Sequence, residues 1–201
     1  RRRLGEPASQ ILLLDENEMA KGKTYFSIRG ARVSPNGRYF AYCVDTDGGG
    51  SCRVYVKDLA SLKVLETKIE DVYWGDFNWS PGSEGLYWVK GDEAFRPYRV
   101  YYHLLNQSQD QLVVEELDTL FNLATKLSVD QKFLFIMSES FETTKLSIAE
   151  GTKLKNLVST QAGNLLTGVG HNASGFFVVS DHEDRNGVLY RIPQPGAARN
   201  K

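Results

Sequence analysis

Four carboxylates, Asp45, Asp47, Asp92 and Glu93, fall in two short polar stretches between apolar runs, where side chains reach solvent together. Carboxylates at loop tips attract cations, so the chemistry they suggest is electrostatic steering of a basic ligand rather than bond breaking. Set against this is a plainer role, a solvated polar loop that keeps strand edges soluble. Bond-breaking groups are harder to find. An activated serine nucleophile on a strained strand-to-helix turn needs the pentapeptide Gly-x-Ser-x-Gly, and the sequence has none. The nearest fragment, Gly170 to Gly175, places Ser174 in a turn between strands. His103, His171 and His182 are too scattered for a triad or a metal-ligand set, and each reads as a surface or hydrogen-bonded residue. The run Gly48-Gly49-Gly50 reads as a flexible hairpin rather than a phosphate cradle, because no Lys-Ser/Thr and no helix follow it. No residue is therefore assigned a catalytic, cofactor-binding or metal-binding role.

The elements that would position these loops emerge from a repeat. Ser34-Pro35-Asn36-Gly37 precedes an apolar run at 38–42, and Ser80-Pro81-Gly82-Ser83 precedes another at 84–88. Ser128-Val129-Asp130-Gln131 and His171-Asn172-Ala173-Ser174 open the third and fourth, giving spacings of 46, 48 and 43 residues. Pro presets φ at the second turn position, and Asn, Gly, Asp or Ser suits the third. The run after each turn is apolar at nearly every position, as in a strand buried on both faces. A polar hairpin then leads to a strand that alternates, at 52–57, 98–103 and 144–148. Fourth, outer strands are expected at 63–69, 111–115 and 155–159.

Four short strands per 43 to 48 residues predict an all-β fold, a β-propeller of four-stranded antiparallel blades. A β-sandwich would not return the same turn chemistry at that period. About four blades are present, at roughly 26–70, 71–118, 119–161 and 162–193, with a short tail to 201. Residues 1–25 lead in with an outer strand at 10–14 and a helical turn at 16–21. That outer strand lacks earlier strands of its own blade. The fourth blade supplies strands near 166–169, 176–179 and 188–192 before Pro193, Pro195 and Gly196, so the chain is expected to start and end mid-blade.

Bulk properties exclude several classes. A formal net charge of −1 leaves no basic surplus for a nucleic-acid backbone. The longest aliphatic run, 11–14, is far short of the roughly 20 residues a membrane helix needs, so a soluble, cytoplasmic protein is expected. Arg1-Arg2-Arg3 reads as a solvated strand end. Cys43 and Cys52 face each other if the hairpin turns between Asp47 and Gly48. Two reduced thiols are the expected state, although that register permits a disulfide.

The chain also resembles the propeller of oligopeptidase B, in the prolyl oligopeptidase family of serine peptidases. The resemblance runs from about residue 10 to 193. It rests on Leu12-Leu13-Leu14-Asp15 with Asn17, Ala20 and Gly22; on Val33-Ser34-Pro35-Asn36 and Ala41-Tyr42 with Val44-Asp45-Thr46; and on Val56-Lys57-Asp58-Leu59. It continues through Arg96-Pro97-Tyr98-Arg99-Val100-Tyr101 with His103, and Leu112-Val113 with Glu115-Glu116 and Asp118-Thr119. What the resemblance implies is a seven-bladed propeller capping an α/β-hydrolase domain, restricting access to oligopeptides and cleaving after Lys or Arg. The chain departs from that plan, with about four blades and no hydrolase domain, so alone it is expected to be inactive.

The alternative is a stand-alone four-bladed propeller serving as a protein-interaction module, closed by residues 10–14 completing the fourth blade. A dimer of half-propellers shares that logic, and open blade edges would favour self-association.

Overall fold

The structure, a computed structural model, describes residues 11–158, 166–181 and 183–195. Among these described residues one short helix, α1 (Glu16–Ala20), precedes fourteen strands. The first blade comprises β1 (Ser27–Val33), β2 (Tyr39–Asp45), β3 (Ser51–Asp58) and the start of β4 (Val64–Trp79). The end of β4 opens the second, with β5 (Gly85–Gly91), β6 (Pro97–Leu104) and β7 (Gln111–Glu115). The third is β8 (Asn122–Leu127), β9 (Leu134–Glu139), β10 (Thr144–Glu150) and β11 (Lys153–Val158). The fourth holds β12 (Leu166–Asn172), β13 (Gly175–Ser180) and β14 (Val188–Ile192). All pairings are antiparallel between sequence neighbours, the blade topology the repeat predicts.

The recurring serine now has a physical reason. The hydroxyl of Ser34 accepts from the Tyr39 amide at 2.9 Å and donates to Asn36 Oδ1 at 2.7 Å, while the Gly37 amide bonds the Ser34 carbonyl. Ser128 repeats this with Phe133 and Asp130, and Ser80 holds the Gly85 amide. In these three turns one buried hydroxyl thus fixes the step from first strand to second, as an ST-turn does.

Where the sequence suggests separate strands, the chain runs as a single 16-residue β4. Its first half pairs with β3 (Val56↔Leu65, Val54↔Ile69) and its second with β5 (Phe77↔Trp88, Trp79↔Leu86). Between them Asp71, Trp74 and Gly75 take positive φ of 58°, 46° and 75°, so the strand turns from one blade into the next without leaving the ladder. Only glycine fits at 75, because a Cβ there would lie 2.8 Å from Arg29 Cβ.

Three apolar seams hold the blades together. Ala41, Cys43, Val54 and Ile69 meet Phe77, Trp79, Leu86 and Trp88. Tyr87, Val89 and Val100 meet Leu123, Leu134 and Ile136. Phe135, Leu146 and Ile148 meet Phe176, Val178 and Tyr190. Polar stitches cross the same seams between residues one repeat apart. Trp79 Nε1 donates to the Arg32 carbonyl (3.0 Å), the Asn36 amide to Ser83 Oγ (3.0 Å), and Asn78 Nδ2 to Thr125 Oγ1 (2.9 Å). At the third seam His171, occupying the serine position of its turn, reaches Asp130 Oδ2 at 2.7 Å.

Two local expectations are corrected. Residues 11–14 form no strand, because no neighbouring strand offers them a ladder. Instead Lys57 Nζ of β3 donates to the Leu13 carbonyl at 2.6 Å, and Asp15 caps α1 through the Asn17 and Glu18 amides. The segment thus lies at the first blade, and among the described residues β14 pairs only with β13, so residues 11–14 do not complete the fourth blade. The β2–β3 hairpin turns between Gly48 and Gly49 (Tyr39↔Asp58), placing Val54 rather than Cys52 opposite Cys43. Both cysteines are buried and free. Contact with Cys52, together with burial, keeps the Cys43 thiol protonated. Arg1–Arg3, Gln10, Ser159 and His182 lie outside the described residues.

Candidate functional site

The hairpins that carry the four carboxylates lie on one side of the blades, beside the crossovers from each fourth strand to the next first strand. Trp74 of the first crossover donates its amide to the Gly50 carbonyl at 2.8 Å, which fixes that adjacency. The expected flexible glycine hairpin is instead wrapped around a carboxylate. Asp45 Oδ1 accepts from the amides of Gly48 (2.7 Å) and Asp47 (3.1 Å), and Oδ2 from Gly50 (3.3 Å) and from Arg29 Nε and Nη2 (3.1 and 2.9 Å).

Burial alone would raise the Asp45 carboxyl, but these donors outweigh it and hold it below the usual carboxylate range. The charge of Asp45 is thus consumed internally. Gly48 and Gly50 supply the left-handed backbone, with φ of 82° and 81°. At 50 a Cβ would also meet Trp74 Cε2 at 2.8 Å. Gly50→Ala is expected to destabilise the chain by about 2 kcal/mol, from the left-handed backbone and the overlap together, read as a lowered denaturant midpoint.

Asp92 does for the second hairpin what Asp45 does for the first. It accepts from the amides of Ala94 (3.0 Å) and Arg96 (2.8 Å), and the Arg96 amide is the main cause of its lowered pKa. Arg96 Nε bonds Asp92 Oδ2 at 3.1 Å, and its Nη atoms donate to the carbonyls of Asp118 (3.3 Å), Phe121 (2.8 Å) and Glu116 (3.2 Å). One guanidinium thereby ties the hairpin to the crossover between β7 and β8. Arg96→Ala is expected to lower stability by about 2–3 kcal/mol, and Arg96→Lys, which cannot span three carbonyls, to recover less than half. Thermal unfolding of both variants checks this.

Asp47 and Glu93 remain exposed at the two tips. Asp47 accepts only from the Gly49 amide, and Glu93 forms no salt bridge among the described residues. Beside Glu93 lies an open pocket of about 330 Å³ lined by Ser51, Tyr73, Lys90, Asp92 and Phe95. Lys90 faces Asp71 at 3.1 Å, so the pocket holds a balanced ion pair beside aromatic rings. This arrangement can bind or steer a charged ligand, and it presents no nucleophile beside a base.

The two described histidines are each held by a carboxylate. His171 is clamped between Phe133 and Phe176 at 4.4 and 4.6 Å between ring centroids. Ser128, His171 and Asp130 do meet, but both the hydroxyl and the imidazole bond the carboxylate. A hydrolytic relay needs the imidazole between the other two. His103 is buried, with Nδ1 on Asp110 Oδ1 at 2.8 Å, and no hydroxyl or thiol reaches its other nitrogen. Among the described residues no group of His, Cys, Asp and Glu is arranged to hold a metal ion, and no helix is long and apolar enough to cross a membrane.

Sequence reasoning missed the polar line on the inner strands. Asp76 accepts from Thr125 Oγ1 at 2.5 Å, Arg32 Nε reaches Asn78 Oδ1 at 3.3 Å, and Asn78 continues to Thr125. Burial pushes the Asp76 carboxyl up, opposed by Thr125 and Arg32. The available signal was position: Arg32 and Asn78 each stand two residues before a repeat serine.

Known proteins resemble this chain in sequence and fold. "Protease 2" of Moraxella lacunata is 27% identical over 198 residues, covering 96% of this chain and 29% of that protein. "Dipeptidyl aminopeptidase BI" of Pseudoxanthomonas mexicana is 32% identical over 145 residues, covering 71% of this chain and 20% of that protein. Among solved structures, oligopeptidase B from Leishmania major superposes with a TM-score of 0.85 at 19% identity, over 98% of this chain and 29% of that one. Oligopeptidase B from Trypanosoma brucei, in a closed form with covalently bound antipain, gives 0.80 at 22% identity, over 100% and 30%. The chain therefore spans less than a third of each of these proteins. Over residues 2–200 the sequence matches the family described as "Prolyl oligopeptidase, N-terminal beta-propeller domain", and with its blades, repeat turns and ordered motifs the chain belongs to that family.

Proposed function

We propose that these blades are part of the substrate-gating propeller of an oligopeptidase B-like serine peptidase that cleaves oligopeptides after Lys or Arg. The catalytic serine, histidine and aspartate would stand on an attached α/β-hydrolase domain. The observation that carries this reading is the family match along nearly the whole chain. Two free thiols fit a reducing, cytoplasmic compartment.

The test is hydrolysis by the complete encoded polypeptide of chromogenic peptides that differ only in the residue before the scissile bond. Arg and Lys substrates are expected to give the highest kcat/KM; preference for Pro, or no hydrolysis, contradicts the reading.

In this reading Asp47 and Glu93, whose charges are not neutralised, contribute to an acidic approach surface for basic peptides. Reversing both (Asp47→Lys with Glu93→Lys) is expected to lower kcat/KM for a dibasic peptide by about threefold at low salt, the loss shrinking as salt screens it. An unchanged kcat/KM at low salt removes these residues from that role.

A further inference from the structure

A buried free thiol commonly serves as a small apolar side chain, and Cys43 and Cys52 both stand in the seam between the first and second blades. Their placement relative to each other goes further. Cys43 of β2 pairs with Val54 of β3, and Cys52 precedes Val54 by two residues, so the two thiols share one face of the hairpin as diagonal neighbours. The sulfurs are in hydrogen-bond contact, with the Cys43 thiol donating to Cys52.

Their surroundings are unequal. Cys43 is enclosed by the apolar seam, and contact with Cys52 together with burial pushes its thiol up. Cys52 sits where the glycine hairpin meets the first crossover. Its Sγ lies 3.7 Å from the Gly50 carbonyl oxygen, and the Gly75 amide and the Arg29 guanidinium also act on it. The hydrogen bond from Cys43 lowers the Cys52 thiol, with help from Arg29 and Gly75 and against burial and the Asp45 charge. One sulfur thus ionises first while its neighbour holds a proton, which is how an attacking and a resolving thiol divide their work.

A path for a small reagent exists at the same end of the hairpin. An open pocket of about 270 Å³ is lined in part by Thr46, Ser51, Cys52 and Arg53. The loop at 46–49 is exposed, and local opening of this tip brings a small oxidant to Cys52 while the blades stay paired.

We propose that Cys43 and Cys52 form a reversible dithiol–disulfide couple, oxidised by low-molecular-weight disulfides of the glutathione class. The Cys52 thiolate attacks one sulfur of the oxidant, whose S–S bond breaks and whose other half leaves as a thiolate. Cys43 gives its proton to that leaving group and attacks the Cys52 sulfur, forming the Cys43–Cys52 bond and releasing the second half. Two protein thiols and one small disulfide become one protein disulfide and two small thiols, so the protein loses the two electrons that the oxidant gains. Diagonal neighbours stand roughly 7–8 Å apart, beyond the usual Cα span of a disulfide of about 4.4–6.8 Å, so closure draws β2 towards β3. The resulting strain makes the bond easily reduced. Only the first hairpin and the first crossover take part, so the couple stands whether or not the peptidase reading does.

The test treats the complete polypeptide, folded in neutral buffer, with excess glutathione disulfide. Free thiols are then blocked with N-ethylmaleimide in denaturant, and the protein is digested with trypsin. Cleavage after Arg38 and Arg53 leaves both cysteines on one peptide, 39–53. The expected peptide lacks two hydrogens and carries no maleimide, and dithiothreitol before blocking restores two maleimide groups. Two maleimide groups without reductant, or glutathione retained on a sulfur with no bridge, overturns the couple.

Cys43→Ala and Cys52→Ala then separate the roles. Cys52 in the first variant is expected to take up glutathione at least about tenfold faster than Cys43 in the second. Equal rates overturn Cys52 as the attacking sulfur. The peptide from the parent polypeptide decides whether the bridge forms even where a variant fails to fold.

Discussion

Asp45→Ala is expected to destabilise the chain by about 3–5 kcal/mol, enough to unfold a domain of ordinary stability at 37 °C. The side chain is inaccessible to solvent and accepts five hydrogen bonds, three from backbone amides and two from Arg29. Removing it leaves amides turned inward with no acceptor and strands the Arg29 guanidinium over Trp74. The penalty exceeds that of an exposed ion pair because the partners cannot re-solvate without opening the hairpin. Asp45→Asn keeps the shape and one acceptor oxygen, and is expected to lose less.

The same residue links stability to pH. Its folded pKa lies below the ordinary carboxylate value, so its stabilisation is fully present above that value and is lost as pH falls through the folded one. Asp92 and Asp130 act in the same direction, Asp130 through Ser128 and His171. Urea midpoints measured from pH 6 to pH 3 should therefore fall below about pH 4 in the parent chain, and fall less steeply in Asp45→Ala.

Trp79→Ala is expected to cost about 3–5 kcal/mol and to separate the first two blades. The indole is 1% exposed, stacks on Tyr39 at 5.9 Å, and donates to the Arg32 carbonyl across the seam. Truncation leaves a cavity among Ala41, Cys43 and Leu86 and removes the hydrogen bond from the indole to β1. Trp79→Phe separates these effects. It retains most of the volume and is expected to lose about 1–2 kcal/mol, chiefly from the missing donor. Equilibrium denaturation of the pair measures the difference. Equal losses would show that the hydrogen bond across the seam contributes nothing.

The blade pattern was legible because it is local. A turn serine bonds an amide five residues on, and a strand buried on both faces must be apolar throughout, so a repeat of turn and strand chemistry reveals the blade without knowledge of its neighbours. What lay between blades was not legible. Arg32, Asn78 and Thr125 come together because successive sheets rotate about a common axis, and nothing in the type of Thr125 distinguishes it from a solvent-facing strand residue.

The hairpin carboxylates show the same limit. Asp45 and Asp47 look equivalent in sequence, yet Asp45 ends β2 and gathers the loop amides while Asp47 stands in the loop at the tip. The unbroken β4 escaped notice because its crossover passes through left-handed conformations at Asp71 and Trp74, and the type of Trp74 does not favour one. Residues 11–14 carry a strand's composition without a strand's partner, and composition alone does not supply a ladder.

The division between a gating propeller and a separate catalytic domain is tested most directly by labelling the complete polypeptide with a serine-directed fluorophosphonate and locating the modified residue by peptide mass spectrometry. The expected result is a single labelled serine outside residues 1–201, with no label on the 201-residue chain alone. A label on Ser128, Ser174 or any other serine of these blades would contradict it and place the chemistry in the propeller itself.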